Sequence, residues 1–139
     1  MTERTLAIVK PDAVEKHLIG EIIKRYEQAG FKIMAMKMVK LTKKEAGQFY
    51  TAHRERGFFE SLVNFMESGT IVVMVLEGEK VIQRHRDLMG VTDPKKADKG
   101  TIRRDFGTDI EHNVVHGSDS AEAAKFEIPF FFTPQEILG

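Results

Sequence analysis

Four stretches of the chain carry the apolar pattern of β-strands. Thr5–Val9 is short, β-branched and apolar on both faces. Thr70–Leu76 is continuously apolar after its first residue, as a central strand buried on both sides would be. Phe31–Val39 alternates, with Phe31, Ile33, Ala35 and Val39 on one side and three methionines with Lys32 on the other. Glu111–His116 completes the set. Between the strands the period changes. Ile19, Ile22, Ile23 and Tyr26 follow i, i+3, i+4, i+7 spacing, with Glu21, Lys24, Arg25 and Gln28 facing away. Gly30 is placed to end that helix in a left-handed conformation. Thr42-Lys-Lys-Glu45 is a capping box, in which hydroxyl and carboxylate each satisfy an orphan backbone donor, and predicts a helix running toward Thr51. Further helices are predicted over about Phe59–Glu67, Glu79–Met89 and Ala121–Phe126. Thr133-Pro-Gln-Glu136 opens a short terminal one, with proline at the first helical position.

The predicted order is β-α-β-(αα)-β-α-β with a C-terminal addition. It suits an α+β, ferredoxin-like sandwich: a four-stranded antiparallel sheet with helices on one face. That topology hosts many functions, so chemistry must come from particular residues. The one long irregular stretch, Gly90–Gly100 and on past Thr101, is punctuated by Gly, Pro and Asp. Loops of this length in small domains are often functional.

At 139 residues the chain suits one domain, residues 1–139, that buries about 70% of its unfolded surface. Twenty-one basic side chains balance 21 acidic ones. This argues against a generic nucleic-acid coat or a membrane-surface protein. There is no cysteine, which excludes disulfides and thiolate chemistry. The longest apolar run, Ile71–Leu76, is far short of the roughly 20 residues of a membrane span. The Met-Thr-Glu-Arg start lacks a signal-peptide apolar region, and a cytoplasmic location is expected. Charge is uneven nonetheless. Residues 80–104 hold eight cations against three acids, and residues 105–139 hold one cation against seven acids.

Four constellations could carry chemistry. No common phosphate loop, dinucleotide fingerprint or His-Glu-x-x-His zinc motif is present. His116-Gly-Ser-Asp-Ser120 places an imidazole at the end of an apolar run, beside backbone donors and hydroxyls able to hold an anion. A neutral imidazole can attack phosphorus without a separate base. The same residues also suit a buried histidine before a capping turn. In the basic block Arg86, Arg103 and Arg104 have the forked geometry that phosphate oxygens accept, unless the block is a solvated surface. Lys10, between a buried strand and Pro11, is either a point charge toward phosphate or a strand-ending surface residue. In Arg56-Gly-Phe-Phe59 one ring should pack inside, and the other either joins it or remains as a stacking platform.

Together these motifs resemble nucleoside diphosphate kinase, over essentially the full length. The resemblance rests on Glu3–Val14, Gly20–Gly30, Arg56–Phe59, Gly100–Phe106 and Asn113–Ser120, in that order. The short tail looks like the bacterial forms. Gln83-Arg-His85 stands where family members often carry smaller residues, and Val91–Lys96 replaces a loop richer in Ala and Asn.

The resemblance implies ping-pong transfer of a γ-phosphoryl group through phosphohistidine at Nδ1 of His116. By position Glu127 matches the carboxylate on the other ring nitrogen, and Ser118 the serine that supports it. Lys10, Arg86, Thr92 and Arg103 match phosphate-holding groups, with Lys10 also reaching the ribose. Asn113 matches the sugar contact, and Tyr50 a tyrosine near the transferring phosphate. Phe58 and Ile110 match the two faces of the base site. Mg²⁺ is implied, held mainly by the nucleotide phosphates rather than by protein ligands. Nucleoside tri- and diphosphates are the implied partners, with ATP as the usual donor. Family members are hexamers or tetramers built from dimers, and the Phe130-Phe-Phe132 tail is a candidate for burial between chains. The competing reading is a nucleotide- or nucleic-acid-binding regulator on the same fold, recognisable by tight, salt-sensitive DNA binding without turnover.

Overall fold

The computed structural model describes residues 2–51 and 57–138. His53 and Arg56 lie outside the described residues. The elements run β1 (Thr2–Val9), α1 (Pro11–Glu15), α2 (Ile19–Gln28), β2 (Lys32–Val39), α3 (Lys43–Phe49), α4 (Phe59–Glu67), β3 (Ile71–Glu79), α5 (Val81–Met89), α6 (Ile102–Phe106), β4 (Val115–Gly117) and α7 (Ala121–Phe131). A short 3₁₀ turn follows at Pro134–Glu136.

The strands form one antiparallel sheet in the order β2-β3-β1-β4, the expected α+β ferredoxin-like arrangement. β3 and β1 are the central pair, and Ile71–Leu76 and Thr5–Val9 are buried throughout. Contrary to the one-face expectation, helices cover both faces. One core joins Ala7, Val9, Val72 and Met74 to Ile22 and Tyr26 of α2 and Val81 and Met89 of α5. The other joins Leu6, Ile8, Val73 and Val75 to Phe49, Leu62, Met66 and Phe131. A central strand that is apolar on both faces requires this arrangement, because either bare face would leave it wet.

Three further differences have local causes. In β2 the ladder passes from Ile33↔Leu76 to Ala35↔Val75, so Met34 is an inserted bulge residue. The bulge reverses the strand's phase. Phe31 and Ile33 enter one core, whereas Met34 and Ala35 enter the other. Helix α7 runs beyond Phe126 and through Pro129, held by Ile128 and Phe131 in the core. The aromatic tail is therefore intramolecular: Phe131 and Phe132 are buried in the chain's own core, with Phe130 packed against it. Finally, the 90–107 stretch contains a helix, α6, capped by Thr101, whose hydroxyl accepts from Arg104 N.

Candidate active site

The site grows from the junction of β1 and β4. Glu111–His116 does not continue as a strand; pairing with β1 covers only Val115–Gly117. Val114 interrupts it with φ +66, a conformation a β-branched residue rarely adopts. Val115 N donates to Asn113 O at 2.8 Å, which closes a three-residue γ-turn. Two neighbours hold the turn. Asp12 Oδ2 accepts from Val114 N at 3.2 Å, and Val114 O accepts from Lys10 N at 2.8 Å. The strain costs roughly 1–3 kcal/mol and is tolerated because these bonds over-determine it. Its effect is to turn the Asn113 and His116 side chains into one cleft.

His116 Nε2 lies 2.9 Å from Glu127 Oε1, and Ser118 Oγ donates to the same oxygen at 2.8 Å. Ser118 Oγ in turn accepts from Leu6 N at 3.1 Å, so the serine is anchored to β1. A carboxylate can only accept, so in the neutral imidazole Nε2 carries the proton and Nδ1 the lone pair. Phe49 meets the imidazole edge-on at 5.5 Å between ring centroids. Gly117 owes its identity to space: a Cβ there would lie 2.4 Å from His85 Nδ1. His85 is fully buried, with Nε2 2.9 Å from the Tyr26 hydroxyl. Burial lowers its pKa to about 3, so it is a neutral packing histidine.

Cations line the rest of the cleft. Lys10 is buried, and its ammonium donates to Asn113 Oδ1 at 2.8 Å. Burial, helped by the Arg103 charge, lowers its pKa to about 8, with Asp12 and Glu111 opposing. Asn113 Nδ2 donates to Thr92 O and Ile110 O at 3.0 and 2.9 Å, which fixes the amide orientation. Arg103 donates to Gly90 O at 3.0 Å and to Val115 O at 2.8 Å. Those bonds lock the guanidinium, whose pKa burial lowers to about 10. Tyr50 is buried, and burial together with the Glu127 charge raises its pKa, so it remains a neutral phenol.

A cleft of about 830 Å³ is lined by Lys10, Tyr50, Phe58, Arg86, Thr92, Arg103, Ile110, Asn113 and His116. All of these were singled out in the sequence. Glu127 and Ser118 stand behind His116. Phe58 is 49% exposed while Phe59 packs against the core, the division expected of that pair. Arg104 is a correction. It donates to Lys95 O and Ala97 O and staples the loop, so it is not among the cleft's lining residues. Sequence reasoning also missed Asp12, the buried His85–Tyr26 pair, and Ser61 and Glu111 on the cleft wall. Asp12 lies two residues after Lys10, but only the fold brings it to Val114.

Comparison with known proteins gives one consistent result. A family model for nucleoside diphosphate kinase matches residues 3–137. The nucleoside diphosphate kinase of Desulforapulum autotrophicum is 61% identical, over 99% of this chain and 99% of its own. Nucleoside diphosphate kinase 1 of Protochlamydia amoebophila is 59% identical over 98% and 96%. Among solved structures, the Aquifex aeolicus nucleoside diphosphate kinase superposes with a TM-score of 0.97 at 50% identity, covering 99% of this chain and 100% of that one. The Halobacterium salinarum enzyme in complex with CDP gives 0.96 at 40%, covering 100% and 93%. With its fold and its sequence both matched over essentially the full length, this chain belongs to the nucleoside diphosphate kinase family.

Proposed function

We propose that this enzyme, which transfers phosphoryl groups between nucleotides, does so through His116 Nδ1 by a ping-pong route with ATP as the usual donor. The observation that carries the reading is the His116–Glu127 hydrogen bond, which commits Nε2 and leaves the Nδ1 lone pair beside a cleft lined with cations. In the first half-reaction Nδ1 bonds to the γ-phosphorus as the bond from phosphorus to the β,γ-bridging oxygen breaks. The electron pair leaves with the diphosphate. Positive charge then develops on the ring, and Glu127, held by Ser118, stabilises it through the retained Nε2–H. A nucleoside diphosphate next attacks the phosphohistidine by the reverse path.

Lys10, Arg86 and Arg103 neutralise the phosphate oxygens, with Thr92 beside them. Phosphoryl transfer asks for little more than positioning and charge stabilisation. Asn113 holds the sugar, and Phe58 and Ile110 take the base between them. Stacking of this kind tolerates any base, because every base has a π-face. Among the described residues no group of three or more His, Asp or Glu is arranged to bind a metal ion. Mg²⁺ would arrive on the nucleotide phosphates and would supply additional neutralisation of the transferring group there.

The whole chain acts as one domain on this reading. Strand β2 is a sheet edge, and it exposes Met36 at 51% and Met38 at 60%. Such an edge supports a homodimer as the unit of a tetramer or hexamer. Light scattering checks this, and a monomer at micromolar concentration refutes it. Among the described residues no helix is long and apolar enough to cross a membrane. A regulator without turnover is not favoured, because the full-length relatives are named as kinases.

The test is labelling with ATP radioactive at the γ position. The protein should take up an acid-labile, base-stable label that chases onto added diphosphates. His116→Ala should take up none; equal labelling of that variant would overturn the assignment.

A further inference from the structure

The base slot has two walls from distant parts of the chain. Phe58 caps the start of α4, and Ile110, 61% exposed, stands in the segment between α6 and β4. Ser61, three residues on from Phe58, donates its hydroxyl to Glu111 Oε1 at 2.8 Å. Glu111 directly follows Ile110. One helical turn further along α4, Phe65 meets His112 edge-on at 4.5 Å between centroids.

The Ile110 wall is stiff within itself. Asp109 Oδ1 accepts from Glu111 N at 3.0 Å and from His112 N at 2.8 Å, and lies 3.0 Å from His112 Nδ1. Thr108 N donates to His112 O at 2.8 Å. A segment tied in this way moves against α4 as a unit, so the contacts between the two fix the gap. Dispersion falls steeply with separation: a radial gap of about 0.5–1 Å forfeits a quarter to a half of the attraction. All bases share one thickness, so a slot of constant width grips each of them and rejects none.

We propose that Ser61 and Glu111 form a clasp that sets the width of the base slot, acting as positioning residues for the nucleoside half of the substrate. The clasp rests on the assignment of Phe58 and Ile110 to the base. Glu111 also acts electrostatically on Lys10, so Ser61 is the cleaner residue to change. Ser61 is exposed on a helix, where alanine is well tolerated.

The test compares steady-state transfer from ATP to ADP, to CDP and to ribose 5-diphosphate, which has the sugar and phosphates but no base. Ser61→Ala should raise KM for ADP and CDP about three- to tenfold, the usual net effect of one solvent-exposed hydrogen bond, with kcat within about twofold of the parent. Kinetics with ribose 5-diphosphate should not change, and Ser61→Thr, which keeps the hydroxyl, should restore KM. Unchanged KM for ADP, or an equal shift for the base-free acceptor, overturns the clasp. Phe58→Ala separates the two levels. If it leaves KM for ADP unaltered, the slot assignment itself fails; if it raises KM while Ser61→Ala does not, only the clasp fails.

Discussion

Lys10 sets a sharp pH dependence. Its ammonium is buried, close to the positive Arg103, and its pKa is about 8 in the unliganded protein. At about pH 7 some nine-tenths of the free enzyme then holds a charged lysine, and at about pH 9 only a tenth does. Because kcat/KM reports the free enzyme, it should fall about tenfold between those values if only the cationic form captures phosphate. kcat should stay level over the same range. Bound phosphate oxygens stabilise the ammonium and return its pKa toward the ordinary lysine value. The assay is initial-rate kinetics with ATP and ADP at constant ionic strength and excess Mg²⁺. Adenine does not titrate in this range, so the base cannot imitate the break. Glu111 is one of the two acids that raise the Lys10 pKa, so Glu111→Gln should move the break to lower pH. A flat kcat/KM to about pH 9 would refute the reasoning, as would an identical break in Lys10→Gln.

Gly117→Ala should lose roughly 1–3 kcal/mol of stability and most activity, because the new Cβ collides with His85; the double variant with His85→Ala should recover part of both in melts and rate assays. Ser118→Ala leaves Leu6 N and one Glu127 lone pair unmet, a cost of about 1–3 kcal/mol in a urea melt, and should lower kcat more than it raises KM. His85 contributes stability that is complete above the unfolded pKa of about 6.5 and is lost as pH falls toward its folded value of about 3. The expected slope is up to about 1.4 kcal/mol per pH unit, read from urea midpoints between about pH 7 and pH 4; an equal slope in His85→Leu would count against it.

Legibility followed the range of the determining interaction. The Thr42–Glu45 capping box and the Gly30 helix stop are local, and both stand where expected, with Gly30 at φ +85. The continuous apolar run of β3 correctly indicated burial on both faces. The inference that helices cover one face ignored that same signal. The bulge at Met34 could not be read, because alternation by itself cannot reveal where a ladder inserts a residue. α1 and α6 are five residues each, too short for periodicity, and both depend on a first-turn cue: Pro11 for one and the Thr101 cap for the other. The site's residue types were legible, but the partition of the arginines was not. Arg103 and Arg104 are neighbours on one short helix, yet one faces the cleft and the other staples the loop. Only the direction each side chain takes from α6 separates them.

The same facts show how, on the proposed reading, a fold with no glycine-rich phosphate loop would hold a triphosphate. Such a loop supplies rigid backbone donors; here rigidity comes from tying side-chain donors to backbone acceptors. Arg103 is fixed by the carbonyls of Gly90 and Val115, and Asn113 by those of Thr92 and Ile110. Lys10 is fixed by Asn113. Two of these carbonyls, those of Val115 and Ile110, lie within six residues of His116, so on the proposed reading one distortion at Val114 positions the nucleophile, the sugar contact and an anchor for Arg103 together. Relaxing that turn would shift all three at once, and its strain is locked by Asp12 of α1 and by the Lys10 backbone just after β1 rather than left to the loop. On the proposed reading, a phosphate-binding site built in this way is preorganised by bonds within the protein itself. Each transfer would then meet charges already in place, without a reorganisation cost at the moment of reaction.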